Sequence, residues 1–519
     1  MQPAIEAAFP WLTVLILLAL AAAVVLWLVK PLHKLAMPYA LGVSLAIFAG
    51  VIVALVSEFD TAKGGVIQLA ETHTWIPQIG VNIAWGINGM GAVMILLATF
   101  LVPVVLLAAW KEFDGERAAG YAAWILALEA IMIGLFAARD VFVFYVLFEL
   151  MIIPVYFLIG RYGGQNRQRA AMKFLIYSLL GGLIMLVGVI GVYIAGPGGK
   201  NGFMLDALVG NLEMTSGVEM ALFLSFFIAF AIKAPMFPVH TWLPDTTEQA
   251  PAGTSTLLVG VLDKLGTYGM IALCIPLFPM ASGKASTVII VLALISIIWG
   301  AFMAIYSDNL MRLVAYTSVS HFGFMVMAIF SGSSLAMSGA ILYMVAHGVG
   351  TAGLFLVVGF LGERGKSHSI SAYGGWQRVT PIIAGAFMVA GLATIALPGL
   401  SGFIPEYMVL MGTFKVNAWA ALVAVIGVVL AALYILLPYQ KVFTGPKPDV
   451  EAKDLNGRER VVVGVLIAAM LGLGFYPAPV IDVVSPVADQ TAVLVSSAES
   501  ATASADIPVA YAAAEGSNK

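Results

Sequence analysis

The chain is almost without thiols and poor in charge. Cys274 is its one cysteine, which excludes an internal disulfide and leaves no thiolate set for an iron–sulfur cluster. Only 10% of the 519 residues are charged, against roughly 25% in an ordinary soluble domain. The formal net charge of −3 comes with no basic cluster fit for a phosphate backbone, so nucleic acid is set aside as a partner. No glycine-rich strand–turn–helix fingerprint or phosphate loop is present, and the histidines do not fall at metal-ligand spacing. Such a chain carries no redox centre, metal or nucleotide site of its own.

What it has in excess is apolar length. The chain is 61% hydrophobic with a mean hydropathy of +1.01, the composition of an all-α polytopic membrane protein in a lipid bilayer. Apolar runs of about twenty residues predict about fourteen transmembrane helices. The first, from Trp11 to Val29, has no basic segment before it and no small-residue cleavage site, so it reads as an uncleaved span. Residues 61–86 are too polar to cross and read as an outer loop with at most a short interfacial piece. Lysine and arginine gather in the connections after odd-numbered helices, from Lys30 and Lys34 to Arg458 and Arg460. Connections after even-numbered helices hold only Lys63, Arg139, Lys200, Lys284 and Lys415. That asymmetry predicts both termini on the outer side.

Two proline-interrupted runs stand out, IKAPMFP around Lys233 and LPGLSGFIPE ending at Glu406. Glu149 precedes Lys233 by about 84 residues and His321 precedes Glu406 by about 85. Five helices separate the units, an odd number, so one must be inverted relative to the other. The expected organisation is helices 1–3 in 1–120, a first five-helix repeat in 121–275, a second, inverted repeat in 286–440, a last helix in 441–485 and a disordered tail in 486–519.

An ionisable side chain at bilayer depth costs roughly 2.5–3.5 kcal/mol even on lenient insertion scales, so each one asks for a reason. Glu149 is the only charge in VFVFYVLFELMIIPVYFLIG. If it faces Lys233, each holds the other charged, and separating them leaves a desolvated ammonium whose proton is driven onward. Lys264 lies well inside the next run, followed by Gly266 and Gly269, which allow close helix approach or local unwinding. His321 and His347 follow, and imidazole accepts and donates protons near neutral pH. Glu406 closes the series. Glu129 reads either as a second acid at the same site or as a structural hydrogen-bonding group, and Asp263 either as an extra acid or as a contact to a neighbouring helix.

The blocks IKAPMFPVHTWLPDTTEQAPAGTSTLLVGVLDKLGTYG and RLVAYTSVSHFGFM resemble the signature segments of the antiporter-like subunits of respiratory complex I, and the resemblance covers the chain from helix 3 to helix 14. Within that family it is most similar to the M type, the mitochondrial subunit 4 type, because Glu406 stands where the other two types are expected to carry lysine. The resemblance implies a proton-translocating, non-redox subunit of an NADH–quinone oxidoreductase in a bacterial plasma membrane. Glu149 and Lys233 would form the controlling pair, Lys264 the central relay, His321 and His347 its continuation, and Glu406 the terminal acid. It also implies neighbouring antiporter-like subunits as partners, with flavin, iron–sulfur clusters, NADH and quinone held by other subunits. Where the family often reads D-A-H-x-x-A-P, this chain has Asp245, Thr246 and Thr247, so that loop receives no proton role. A subunit of a multi-subunit sodium/proton antiporter or of a membrane-bound hydrogenase is the alternative.

Overall fold

The computed structural model describes residues 3–503, with side chains to residue 498. Eighteen helices of at least eight residues follow one another: α1 Trp11–Leu28, α2 Ala36–Glu58, α3 Gly89–Ala108, α4 Gly115–Ala137, α5 Val141–Leu150, α6 Ile152–Tyr162, α7 Arg167–Ala195, α8 Ser216–Lys233, α9 Trp242–Gln249, α10 Ala252–Leu277, α11 Pro279–Tyr306, α12 Leu310–Ile329, α13 Ser334–Gly365, α14 Pro381–Thr394, α15 Phe403–Val416, α16 Ala418–Phe443, α17 Gly457–Phe475 and α18 Ala478–Ala503. Thirteen described helical stretches are long and apolar enough to cross a membrane. Every span expected from the sequence has its helix, and the two proline-interrupted ones are split into α8 with α9 and α14 with α15.

Polar caps fix where several of these helices start. Asp140 accepts from the N–H groups of Phe142 and Val143 at the head of α5, Asn309 does the same for Met311 and Arg312 at α12, and Asn88 caps α3. Each satisfies donors that a helix N-terminus leaves open. The core is the set of helices with almost no exposed face: α3, α4, α10, α12 and α13. Around it α1, α2, α7, α11 and α16 keep one apolar side outward, as helices that meet lipid or another subunit must.

Residues 61–86, expected as a loop, instead contain an antiparallel hairpin, β1 Gln68–Ile76 and β2 Val81–Ile87. Glu71 on β1 accepts from the N–H groups of Leu12 and Thr13, so the hairpin caps the open end of α1 with a carboxylate, which also suits the helix dipole. A second departure is α18. The expected tail from residue 486 is helical as far as Ala503, and the rest of that tail lies outside the described residues. Val484, Val487, Ala488, Ala492 and Val495 are buried while Asp482 and Asp489 are exposed, an amphipathic stripe at helical spacing. Gly64 and Gly89 lie against the carbonyl of Val483, Gly65 against Gln490 and Gly332 against Ser496. These glycines all belong to helix connections or helix starts at the hairpin end of the bundle, so α18 runs across the helix ends there and is not a crossing. Its stretch Ala478–Ala498 is one of the thirteen apolar enough to cross, but it is its packing across these helix ends that sets its place.

The opposite end is basic. There Lys173 at the start of α7 and Arg312 at the start of α12 both bind Asp245 of α9, at 2.6 Å each, and Arg312 also reaches Glu248 at 2.8 Å.

Candidate functional site

The site forms where helices lose their regularity. α8 stops at Lys233, and the freed carbonyl of Ile232 accepts from Trp242 Nε1 at 2.9 Å, while the N–H of Phe237 donates to Ser296 Oγ at 2.8 Å. Side chains from α9 and α11 thus satisfy the backbone that Pro235 and Pro238 opened, a requirement wherever backbone is broken away from water. In α10 the chain widens into π turns at Leu258–Leu262 and Met270–Cys274, and Lys264 sits between them. α14 and α15 are parted by Ile395–Gly402, where Ala396 and Gly399 take positive φ values of 58° and 89°. Glu406 lies in the first turn of α15. α5 and α6 are parted at Met151, just after Glu149; Pro154 offers no N–H to the carbonyl of Leu150, which is where a regular helix would need one.

Lys233 is buried and its ammonium donates to Ser178 Oγ of α7 at 3.0 Å, with the rings of Phe174 and Phe148 at 5.0 and 5.4 Å. One turn further along α7, Gly182 leaves the slot that holds Glu149: a Cβ there would lie 1.5 Å from Glu149 Oε1. Glu149 and Lys233 therefore flank the same face of α7 without touching. No ion pair joins them among the described residues, Glu149 Oε1 has no hydrogen-bond partner, and the interaction between them is through-space only. Glu149 is half-buried, on an edge where Leu150, Ile153 and Phe157 are exposed.

Beyond Lys264 the groups meet in sequence. Its Nζ donates to the Val259 carbonyl at 2.5 Å and lies 2.8 Å from His347 Nδ1. The π turn makes the first contact possible: the N–H of Asp263 bonds to Leu258 O rather than to Val259 O, its partner in a regular helix. The His347 and His321 rings lie 5.2 Å apart, nearly perpendicular. His321 Nε2 is 2.9 Å from the Tyr434 hydroxyl, and its ring is 5.8 Å from that of Tyr343, whose hydroxyl donates to Glu406 Oε2 at 2.7 Å. The remaining ring nitrogens, His321 Nδ1 and His347 Nε2, have no partner among the described residues. Both side chains line a small cavity with Tyr343, Thr394 and Gly402. All of these groups are buried.

The structure thus brings Lys264, His347, His321 and Glu406 into one row and keeps Lys233 one helix away, on α8. Tyr343 and Tyr434 belong to the row and Ser178 to the Lys233 end, and none of the three was singled out from the sequence. Tyr343 had a signal, since it precedes His347 by one helical turn and shares its face. Glu129 is fully buried in α4 with neither carboxylate oxygen partnered among the described residues, and no hydrogen bond ties it to the row. Among the described residues no group of three or more His, Cys, Asp or Glu could hold a metal ion.

Residues 138–431 match the family model described as NADH:quinone oxidoreductase/Mrp antiporter, transmembrane. The chain is similar to the NADH-quinone oxidoreductase subunit M of Mycobacterium tuberculosis strain H37Rv, 42% identical over 93% of this chain and 94% of that protein. It is similar as well to that of Escherichia coli K12, 38% identical over 79% and 82%. Among solved structures, a chain of respiratory complex I from Thermus thermophilus with bound NADH superposes with a TM-score of 0.85 at 30% identity, covering 93% of this chain and 99% of that one. A chain of the Mrp complex from Dietzia sp. DQ12-45-1b shares the fold, with a TM-score of 0.81 at 19% identity over 94% and 99%.

Proposed function

Because the chain belongs to the NADH:quinone oxidoreductase/Mrp antiporter transmembrane family, we propose that it is a proton-translocating membrane subunit of an NADH–quinone oxidoreductase, of the M type. The observation that carries this reading is the buried row from Lys264 through His347 and His321 to Tyr343 and Glu406. The hydrogen bond at its head, between Lys264 and His347, suits both protonation states. A Lys264 ammonium donates to His347 Nδ1; after transfer the imidazolium Nδ1–H donates back to the amine, so the proton moves without the hydrogen bond breaking.

The driving event lies at the other end. Lys233 holds its ammonium on a serine hydroxyl and aromatic faces, with the Glu149 charge nearby but not in contact. A shift of Glu149 toward or away from Lys233 changes how well the ammonium is compensated, and a desolvated lysine answers by keeping or releasing its proton. Moving one proton against about 100 mV requires roughly 2.3 kcal/mol, a quantity that a single ion-pair rearrangement in a low-dielectric interior can supply. Glu149 stands at an exposed apolar edge, which is where a neighbouring membrane subunit would act on it. No step here involves NADH or quinone; flavin and iron–sulfur chemistry belongs to partner subunits. The two broken helices would then be corresponding parts of the units 121–275 and 286–440, and the basic end would face the cytoplasm of a bacterium with both termini outside.

The sodium/proton antiporter reading has the shared fold on its side, but the relatives of high identity carry the quinone oxidoreductase name. Lys233→Ala in the assembled complex is the test. Proton translocation coupled to NADH oxidation should fall by about tenfold or more, a barrier increase of at least roughly 1.4 kcal/mol, while NADH oxidation with an artificial soluble acceptor is retained. Unchanged translocation would remove the proposal.

A further inference from the structure

Of the two fully buried, unpartnered acids that this mechanism leaves unused among the described residues, Glu129 and Asp263, the second is the chain neighbour of Lys264. The Asp263 side chain is fully enclosed, and neither carboxylate oxygen has a hydrogen-bond partner among the described residues. An isolated carboxylate in such a place is untenable unless it is paired or takes up a proton. Its position on α10 explains what surrounds it. Lys264 and Thr267, three residues apart, both turn toward α13, reaching His347 Nδ1 and Met344 Sδ. Asp263 and Gly266, again three apart, share the adjacent face, and that face packs on the broken end of α8: a Cβ on Gly266 would lie 2.4 Å from both Ala234 N and Phe230 O. Asp263 thereby lies on the face of α10 that packs against the turn of α8 carrying Lys233, while its chain neighbour Lys264 reaches the histidines. Both lysines act electrostatically on its carboxylate, and the other charge felt by Lys233 is Glu149.

We infer that Asp263 carries the proton between the two halves of the site, taking it from Lys233 and giving it to Lys264. In the first step the Lys233 ammonium loses a proton to the Asp263 carboxylate, leaving a neutral amine and a carboxylic acid. In the second the carboxylic acid protonates the neutral Lys264 amine and becomes a carboxylate again. Net charge is conserved at each step, and the acid is never left ionised without an adjacent ammonium. The inference rests on the proposed proton-translocating function.

The test uses the whole complex reconstituted in vesicles, carrying Asp263→Asn, Asp263→Glu or, as the reference, Lys264→Ala. Recovery of each variant subunit in the purified complex reports assembly. Asp263→Asn keeps the shape and removes the titratable group, so the ratio of protons moved to NADH oxidised should fall in it and return in Asp263→Glu. The infrared difference spectrum between resting and turnover states should contain a carboxylic-acid C=O band that Asp263→Asn removes. If Lys264→Ala abolishes translocation while Asp263→Asn leaves both the ratio and the infrared band intact, Asp263 has no such role and the proposed function stands. If Lys264→Ala too is without effect, the underlying function falls first, and this inference with it.

Discussion

The two ends of the site are built differently. From Lys264 to Glu406 the side chains form a near-continuous row of hydrogen bonds and ring contacts between α10, α12, α13, α15 and α16. Around Glu149 and Lys233 the opposite charges are held apart, one in a glycine slot and one on a serine, on the same face of α7. A row of touching groups is suited to passing a proton; two separated charges are suited to being moved. On the proposed function, the difference would make conduction and control separate tasks, the first on buried core helices and the second on a helix at the edge, where a neighbouring subunit would reach it.

Several substitutions break or sharpen that contrast. Lys264→Met removes the joint between the two regions while keeping its apolar stem, so it should cause the largest loss, about tenfold or more in NADH-driven proton translocation, or at least roughly 1.4 kcal/mol on the barrier; proton uptake by vesicles measures it. Tyr343→Phe takes away only the hydrogen bond to Glu406. A net hydrogen bond to a charged group is worth roughly 1.5–3 kcal/mol, but the row keeps its other contacts, so a loss of about fivefold, close to 1 kcal/mol, is expected in the same assay. Equal rates in Tyr343→Phe and wild type would show that conduction does not use this end.

On the control side, Gly182→Ala places a methyl where Glu149 Oε1 now sits. The carboxylate tip can swing aside, so the chain should fold and assemble, with a loss of coupling of about two- to threefold, well under 1 kcal/mol. It should show as a lower proton-to-NADH ratio with unchanged NADH oxidation. A bare reduction in both rates together would place Glu149 in the conducting row instead.

The smallest effect lies outside both regions. In the connection between α3 and α4, Glu112 keeps part of its side chain in solvent, but the crowding of protein around its carboxyl, reinforced by the Glu363 charge and partly offset by Arg458, pushes that carboxyl up to about 7. The folded state then holds a proton that the unfolded chain releases above its ordinary value of 4.5, so this group's contribution to stability is present at low pH and is lost as pH rises through about 7. Glu112→Gln should flatten that slope in thermal unfolding of the purified complex and leave translocation unchanged. A change in translocation would mean that titration at the basic end feeds the interior row.

Part of this was legible in the sequence, for reasons that differ from residue to residue. Lys233, Lys264, Glu149 and Glu406 could be read because a charge inside an apolar run has a cost that nothing local repays, and both broken helices because proline cannot give a backbone hydrogen bond. Ser178, Tyr343 and Tyr434 could not, since hydroxyl groups are common in apolar helices and only their neighbours distinguish them. The π turns on either side of Lys264 contain no proline; Gly266 and Gly269 hinted at unwinding there, but the wider turns themselves are decided by packing. Of the tail expected to be unstructured from residue 486, the part to Ala503 is instead helical, with an apolar stripe interrupted by Ala, Ser and Asp, and the rest lies outside the described residues.

By itself the sequence determined that the chain is a bundle of apolar helices with a few ionisable groups inside it, because hydrophobic length and the expense of buried charge are local properties that survive without any neighbours. Only the tertiary structure decided which of those groups touch. Whether Lys264 meets His347 or Asp263 lies on the face that packs against α8 depends on helix rotation and close approach at glycines such as Gly266, set by packing between segments far apart in the chain, and no local pattern carries that information.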